Sequence, residues 1–267
     1  MRKAWKFFQR DLLIDSWSRF PLILHLLNIG LTVAAYVFLA RLVERDTLAR
    51  WTSTGGDYFA FVLIGMAASA AMLLGITGLS RSLQLAQPSG VLKPLLFGRT
   101  PLETVLAGSS LYPMARAGAD FAAYILVGWL AGGISLAQAN LGGALLVGIP
   151  SLVAFCGLGI LAAAFSVLFR CGEPFLWVIG SSSWLLGGVL YPPSVLPGPL
   201  RWAAEVFPLT HALRGMRRAL LEGASIEELI PSAAVLCAFS LVVIPLGVLA
   251  FRIGLLRARR LGTLSEW

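Results

Sequence analysis

Six stretches of this chain are apolar over close to the length a helix needs to cross a bilayer, and that property removes most folds open to 267 residues. They run from about Leu22 to Leu42, Tyr58 to Leu79, Glu103 to Leu130, Leu141 to Phe169, Phe175 to Leu190 and Ile230 to Phe251. Inside hydrocarbon no water satisfies backbone N–H and C=O groups, so a segment of roughly 20 apolar residues must satisfy its own by becoming a helix. The third and fourth stretches are longer than a bilayer requires and are expected to project beyond it. The fifth is short. Composition agrees: 58% of residues are hydrophobic, 13% are charged and the mean hydropathy is +0.82, too apolar for a soluble domain. The expected fold is an all-α membrane protein, a single domain over 21–267 with six transmembrane helices.

The net charge of +8 does not signal nucleic acid, because the basic residues flank the apolar spans instead of forming one dense stripe. Six spans put both termini on one side. With that side cytoplasmic, thirteen Lys/Arg, among them Lys93, Arg170 and Arg259, lie inside, and seven, among them Arg50 and Arg217, lie outside. The excess supports cytoplasmic termini in the cell (inner or plasma) membrane. Before the first span, Met1, Ala4, Trp5, Phe8 and Leu12 share one helical face and Lys3, Lys6 and Arg10 the other, so residues 1–20 are expected to form an amphipathic interfacial helix on membrane lipids. Asp11 and Asp15 interrupt any short apolar core there, so no cleaved signal is expected. Cys156, Cys171 and Cys237 have no metal-ligand spacing and read as buried free thiols.

Between the last two apolar stretches runs GGVLYPPSVLPGPLRWAAEVFPLTHALRGMRRALLEG, Gly187 to Gly223. Pro192, Pro193, Pro197, Pro199 and Pro208 forbid one continuous helix. The block must fold as short pieces. Pro199 fits a first helical turn, and Pro208 ends that helix and precedes another closed by Gly223. From Leu209 the 3.6-residue period puts Leu209, Ala212, Leu213, Met216 and Leu220 on one face and Arg214 and Arg218 on the other, as in a helix lying along a membrane interface.

This block resembles the re-entrant extracellular hairpin before the last transmembrane helix in permease subunits of the type-2 family of ABC exporters. Gly187-Gly188, Pro192, Leu196-Pro197, Leu200 and Pro208-Leu209-Thr210 carry the resemblance, which implies an outer re-entrant hairpin over 191–223. Pro197, Arg201, Pro208, Arg214, Arg217 and Arg218 are its candidate substrate-exit residues. A second match lies between the second and third spans, where Gly90, Val91, Leu92, Lys93, Pro94, Leu95 and Leu96, then Thr100-Pro101-Leu102-Glu103, resemble the family's cytoplasmic segment. Val91 replaces the usual threonine and Lys93 the usual acid. The resemblance implies that 81–101 is the coupling segment that docks on an ATPase. Physically, Thr100, Pro101 and Glu103 are an N-cap, a first-turn proline and a capping-box acid, a rigid start to the third span.

Arg116 and Asp120, four residues apart, can pair on one face of the third span, as a structural lock or along a translocation path. Gly65, Ala68, Ser69 and Gly75 permit close helix approach, within the bundle or at a dimer face. His25 and His211 are the only histidines and read as polar interfacial side chains. No catalytic or metal site is visible, and no G-x-x-x-x-G-K-[ST] phosphate loop occurs. The chain is therefore expected to be no enzyme and to carry no cofactor. As the resemblance implies, it would be the permease of an exporter, paired with a second permease chain, a homodimer, and bound to separate ATPase subunits that hold ATP and Mg. Its cargo would be hydrophobic, lipid-linked or drug-like, moved by alternating access. The alternatives are an intramembrane enzyme, for which Ser181-Ser182-Ser183 lacks a base nearby in sequence, and an ATP-independent secondary transporter, which would show matched broken helices in both halves.

Overall fold

The computed structural model describes residues 8–9, 12–13, 19–42, 58–86, 102–132, 134, 138–169 and 172–260. Eight α-helices and one 3₁₀ turn are described, with no strand among these residues. Five of the helices are long: α1 (Arg19–Leu42), α2 (Tyr58–Ala86), α3 (Leu102–Leu130), α4 (Leu141–Phe169) and α8 (Ile226–Arg260). Between α4 and α8 come the shorter α5 (Gly172–Leu186), the 3₁₀ turn Pro193–Val195, α6 (Gly198–Val206) and α7 (Pro208–Leu221).

Segments of α1, α2, α4 and α8 are long and apolar enough to cross a membrane: Ile23–Arg41, Tyr58–Ser82, Leu141–Leu168 and Ile226–Arg257. The chain is a multi-pass helical membrane protein. Of the six expected spans, the third and fifth do not meet that criterion. α3 carries Glu103, Arg116 and Asp120, and α5 has only 15 residues. Boundaries differ as well: α1 begins at Arg19, α2 continues past Leu79 to Ala86, and α8 runs from Ile226 to Arg260 rather than from Ile230 to Phe251, because hydropathy marks the apolar run and not the helical turns that continue beyond it.

α4 lies against α2 and α8, α3 packs on α2, and α1 lies against α2 and α3. The α2–α4 crossing is tight enough to need glycine on both sides. A β-carbon on Gly75 would stand 2.8 Å from Phe155 Cβ, and one on Gly159 would stand 2.4 Å from the Gly75 carbonyl oxygen. The small residues of α2 thus serve packing within the chain. At one end of the bundle Leu79, Leu106, Ile160, Ala163, Ala164 and Phe251 knit α2, α3, α4 and α8 together. At the other end α7 packs on α2, α4 and α8. Cys156 is buried as expected, whereas Cys237 is exposed on the outside of α8.

The prolines act locally. Pro193 opens the 3₁₀ turn, Pro199 stands in the first turn of α6, and Pro208 opens α7 behind an extended Phe207. Gly223, at φ +63°, reverses the chain after α7, and the Ala224 N–H returns to the Arg218 carbonyl at 3.0 Å, a helix end closed by a left-handed glycine.

Candidate functional site around helix α7

The apolar face expected for α7 forms: Leu209, Ala212, Leu213, Met216 and Leu220 are all buried. Burial extends beyond that face, however. Pro208, Thr210, His211, Gly215, Arg217 and Ala219 are buried too, so α7 is inserted among its neighbours. Gly215 and Ala219 are small enough to let this second face approach α4 and α8; a β-carbon on Gly215 would stand 2.8 Å from Val147 Cγ1 and 3.2 Å from Ser232 Cβ. α6 is the exposed element of the block, with Trp202 80% and Val206 70% exposed.

Arg217 departs furthest from expectation. Grouped with Arg214 and Arg218 as an outward-facing exit residue, it is only 7% exposed. Its Nε and Nη2 donate to the Phe61 carbonyl of α2 at 3.2 and 3.0 Å, Nη1 to the Gly188 carbonyl at 2.9 Å, and Nη2 also to the Val189 carbonyl at 3.0 Å. The guanidinium lies 3.3 Å from the centroid of the Phe61 ring, a desolvated cation–π contact. The acceptors are accessible because Gly65 has no side chain: a β-carbon there would meet Val189 O at 2.3 Å and Arg217 Nη2 at 3.0 Å. Gly188 holds φ +80° and turns the chain after α5. One side chain therefore bolts α7 to α2 and to the turn after α5. Burial pushes its pKa down to about 9, which leaves it charged at neutral pH.

Arg214 and Arg218 are held differently. Arg214 Nη2 donates to Glu205 Oε1 of α6 at 2.5 Å. Arg218 pairs with Glu228 at the start of α8 and stands 3.7 Å from Glu222. His211 Nε2 lies 2.9 Å from the Glu205 carbonyl oxygen and 3.6 Å from its carboxylate. Partial burial would raise the Glu205 pKa, but the Arg214 hydrogen bond, with Arg214, His211 and Arg201 charges nearby, holds it below the ordinary carboxylate value. Arg201 is exposed, as is Pro197, the N-cap of α6.

Two cavities flank α7. On one side lies an apolar cleft of about 510 Å³ between α3 and α4, floored by Ala68 and Ala71 of α2 and by Ala212, Met216 and Leu220 of α7. On the other lies a polar pocket of about 320 Å³, lined among others by Arg201, Glu205, Arg214, Arg217, Arg218 and Glu222. The helix partitions them.

The expected intramembrane pair also forms, Arg116 Nε donating to Asp120 Oδ1 at 3.2 Å. Its third member was not foreseen: His25 Nε2 of α1 lies 2.8 Å from Asp120 Oδ2. Asp120 is 5% exposed, so the cluster ties α1 to α3. Nothing in the sequence pairs residues 95 positions apart; only the fold does. Glu103, placed in the coupling set, pairs with Arg252 of α8. Gly90, Val91, Leu92, Lys93, Pro94, Leu95 and Leu96, Thr100 and Pro101, and most of the amphipathic helix over 1–20, lie outside the described residues. Among the described residues no cluster of three metal-ligating side chains occurs. Ser181 Oγ donates to the Trp177 carbonyl at 2.7 Å, a helix-internal bond.

The described residues form an all-helical membrane protein with a proline-broken block packed back into the bundle before its last helix. The sequence comparison gives the family: residues 4–221 match ABC-2 type transporters, and the chain belongs to that family. Permeases of this kind generally work with a separate ATPase subunit. Comparison with curated proteins gave no match.

Proposed function

We propose that this chain is the membrane-spanning subunit of an ATP-driven exporter, paired with a second permease chain in a homodimer and powered by separate ATPase subunits. The family match over residues 4–221 carries the reading. The absence of a phosphate-binding loop from the whole sequence supports a chain that is not itself the ATPase, with ATP and Mg held by its partner. In this reading α3 and α5 complete six crossings, α3 with Arg116 neutralised against Asp120 and α5 together with the turn that follows it. Both termini face the cytoplasm, and the α6–α7 block is a re-entrant hairpin on the outer side. The cargo is hydrophobic, lipid-linked or drug-like and leaves the cytoplasm or inner leaflet.

The mechanism starts at 81–101, the last turns of α2 and the stretch that leads to α3. A push on that segment enters a stiff assembly, because Leu79 and Leu106 share one packed cluster with Ile160 and Phe251, and Glu103 pairs with Arg252. α2 then carries the displacement toward Phe61, where Arg217 grips it. Alternating access requires that cargo bind the two resulting states unequally.

Reconstitution with the ATPase tests the proposal. Transport should require ATP, and replacing Leu92 and Leu95 together with aspartate should release the ATPase while the permease still inserts. A double variant that copurifies with the ATPase and transports normally would overturn the coupling assignment; transport without ATP would favour a secondary transporter.

A further inference from the structure

The polar pocket beside α7 has an imbalance of charge that its own residues do not cancel. Four arginines, Arg201, Arg214, Arg217 and Arg218, line it with two glutamates, Glu205 and Glu222. Glu205 engages Arg214, and Arg218 is taken by Glu228 and Glu222. Arg201 feels only the longer-range charge of Glu205, which Arg214 already engages, and Arg217 has no counter-charge. Arg217 is buried against three neutral carbonyls and an aromatic face, and among the described residues no carboxylate lies within ion-pairing distance of it. Buried charges are ordinarily paired, so a buried guanidinium without a counter-charge projects positive potential into the cavity it lines. The Arg201 side chain makes no ion pair or hydrogen bond among the described residues, and its planar fork is available at the rim.

We propose that this pocket binds a phosphoryl-type anion, either on a lipid headgroup or as the free ion. At about 320 Å³ the cavity is at the small end of ligand pockets, roughly 300–1,000 Å³. Its four arginines suit a compact anion. Arginine forks match the tetrahedral oxygens of a phosphoryl group by paired, charge-assisted hydrogen bonds. Arg201 supplies such a fork, Arg214 supplies nitrogens beyond the one held by Glu205, and Arg217 supplies the field from beneath. A role as a station for an anionic cargo rests on the exporter reading, whereas the binding does not.

The test is direct binding to the purified full chain, without ATPase or transport, so its failure is distinct from failure of the exporter reading. Thermal stability is titrated with inorganic phosphate against chloride at equal ionic strength, and in nanodiscs with increasing phosphatidylglycerol against phosphatidylcholine. Saturable stabilisation is expected. Arg201→Gln, which breaks no hydrogen bond or ion pair described within the chain and removes only a longer-range attraction to Glu205, should weaken it about tenfold, the loss of one charge-assisted hydrogen bond, and Arg201→Gln with Arg214→Gln should abolish it. Stabilisation by both ligands shows that the phosphoryl group itself is recognised; stabilisation by phosphatidylglycerol alone assigns the anion to the lipid. No saturable stabilisation by either, or stabilisation unchanged in Arg201→Gln, overturns the proposal.

Discussion

Arg217→Met removes the guanidinium while nearly preserving side-chain length, and it should destabilise the protein by about 2–4 kcal/mol, a net of three opposing effects. The Gly188 and Val189 carbonyls, which accept from Nη1 and Nη2, lose their donors, at about 1–3 kcal/mol for each buried orphan. The stacking on Phe61 at 3.3 Å is lost as well, worth about 2 kcal/mol for a desolvated cation–π contact. Against these, the variant escapes the desolvation of a buried cation, several kcal/mol. The Phe61 carbonyl lies within α2 and loses only an additional partner, so it is left out of the account. At roughly 2–4 °C per kcal/mol for a chain of this size, the net corresponds to a fall in Tm of about 5–15 °C. Thermal unfolding of the detergent-solubilised protein, followed by monodispersity on size exclusion, measures it. Arg217→Lys separates charge from geometry: an ammonium keeps the charge but cannot span three carbonyls as a planar fork, so it should recover less than half of the loss. An unchanged Tm in Arg217→Met, or full recovery by lysine, would refute the clamp.

Asp120→Asn should loosen α1 from α3 by removing the carboxylate charge that His25 and Arg116 share, at about 1–3 kcal/mol, read as a lower Tm in the same unfolding assay. Gly65→Ala should cost about 1–3 kcal/mol by forcing α2 away from the Val189 carbonyl, whereas Gly30→Ala, whose β-carbon would meet nothing within 4 Å, should be neutral or stabilising in a helix interior. Because the folded pKa of Glu205 lies below its unfolded value, its contribution is present above the ordinary carboxylate pKa and is lost as pH falls through the depressed one. The Tm difference between wild type and Glu205→Gln should therefore shrink toward zero on acidification.

The helices were legible where one physical quantity decided them. Leu141–Phe169 forms one helix as expected, because apolar length alone determines which segment can remain in hydrocarbon. Boundaries beyond the bilayer were not legible, since hydropathy stops marking a helix once it enters water. Arg217 carried a readable signal that charge obscured. It follows Leu213 by one helical turn and adjoins Met216, so periodicity puts it on the buried face, while its likeness to Arg214 and Arg218 suggested the exposed one. Gly65 was legible as a close-approach residue but not its partner. What approaches it is a turn more than a hundred residues away and a guanidinium, a tertiary contact to which no local pattern refers. His25 was missed for the same reason.

α2 runs from the Arg217 clamp toward the proposed coupling segment, and its packing sets what it could transmit. Near one end Phe61 supplies Arg217 with an acceptor and an aromatic face; toward the other Leu79 is buried in the cluster adjoining the proposed coupling segment. Between them Gly75 is locked against Phe155, and Gly78 against Pro113, where a β-carbon would stand only 2.3 Å from the proline ring. A close-packed interior resists continuous deformation, so α2 moves with α3 and α4 or slips past them by a discrete step. At its far end the moving part meets one charged side chain holding three carbonyls, two of them on a turn outside the bundle's long helices. Those bonds are directional and break within a small displacement, unlike the apolar contacts around them. A shift of α2 that the packed end absorbs as rigid motion would therefore register first at Arg217, where the α7 block is either carried along or released from the grip of Phe61.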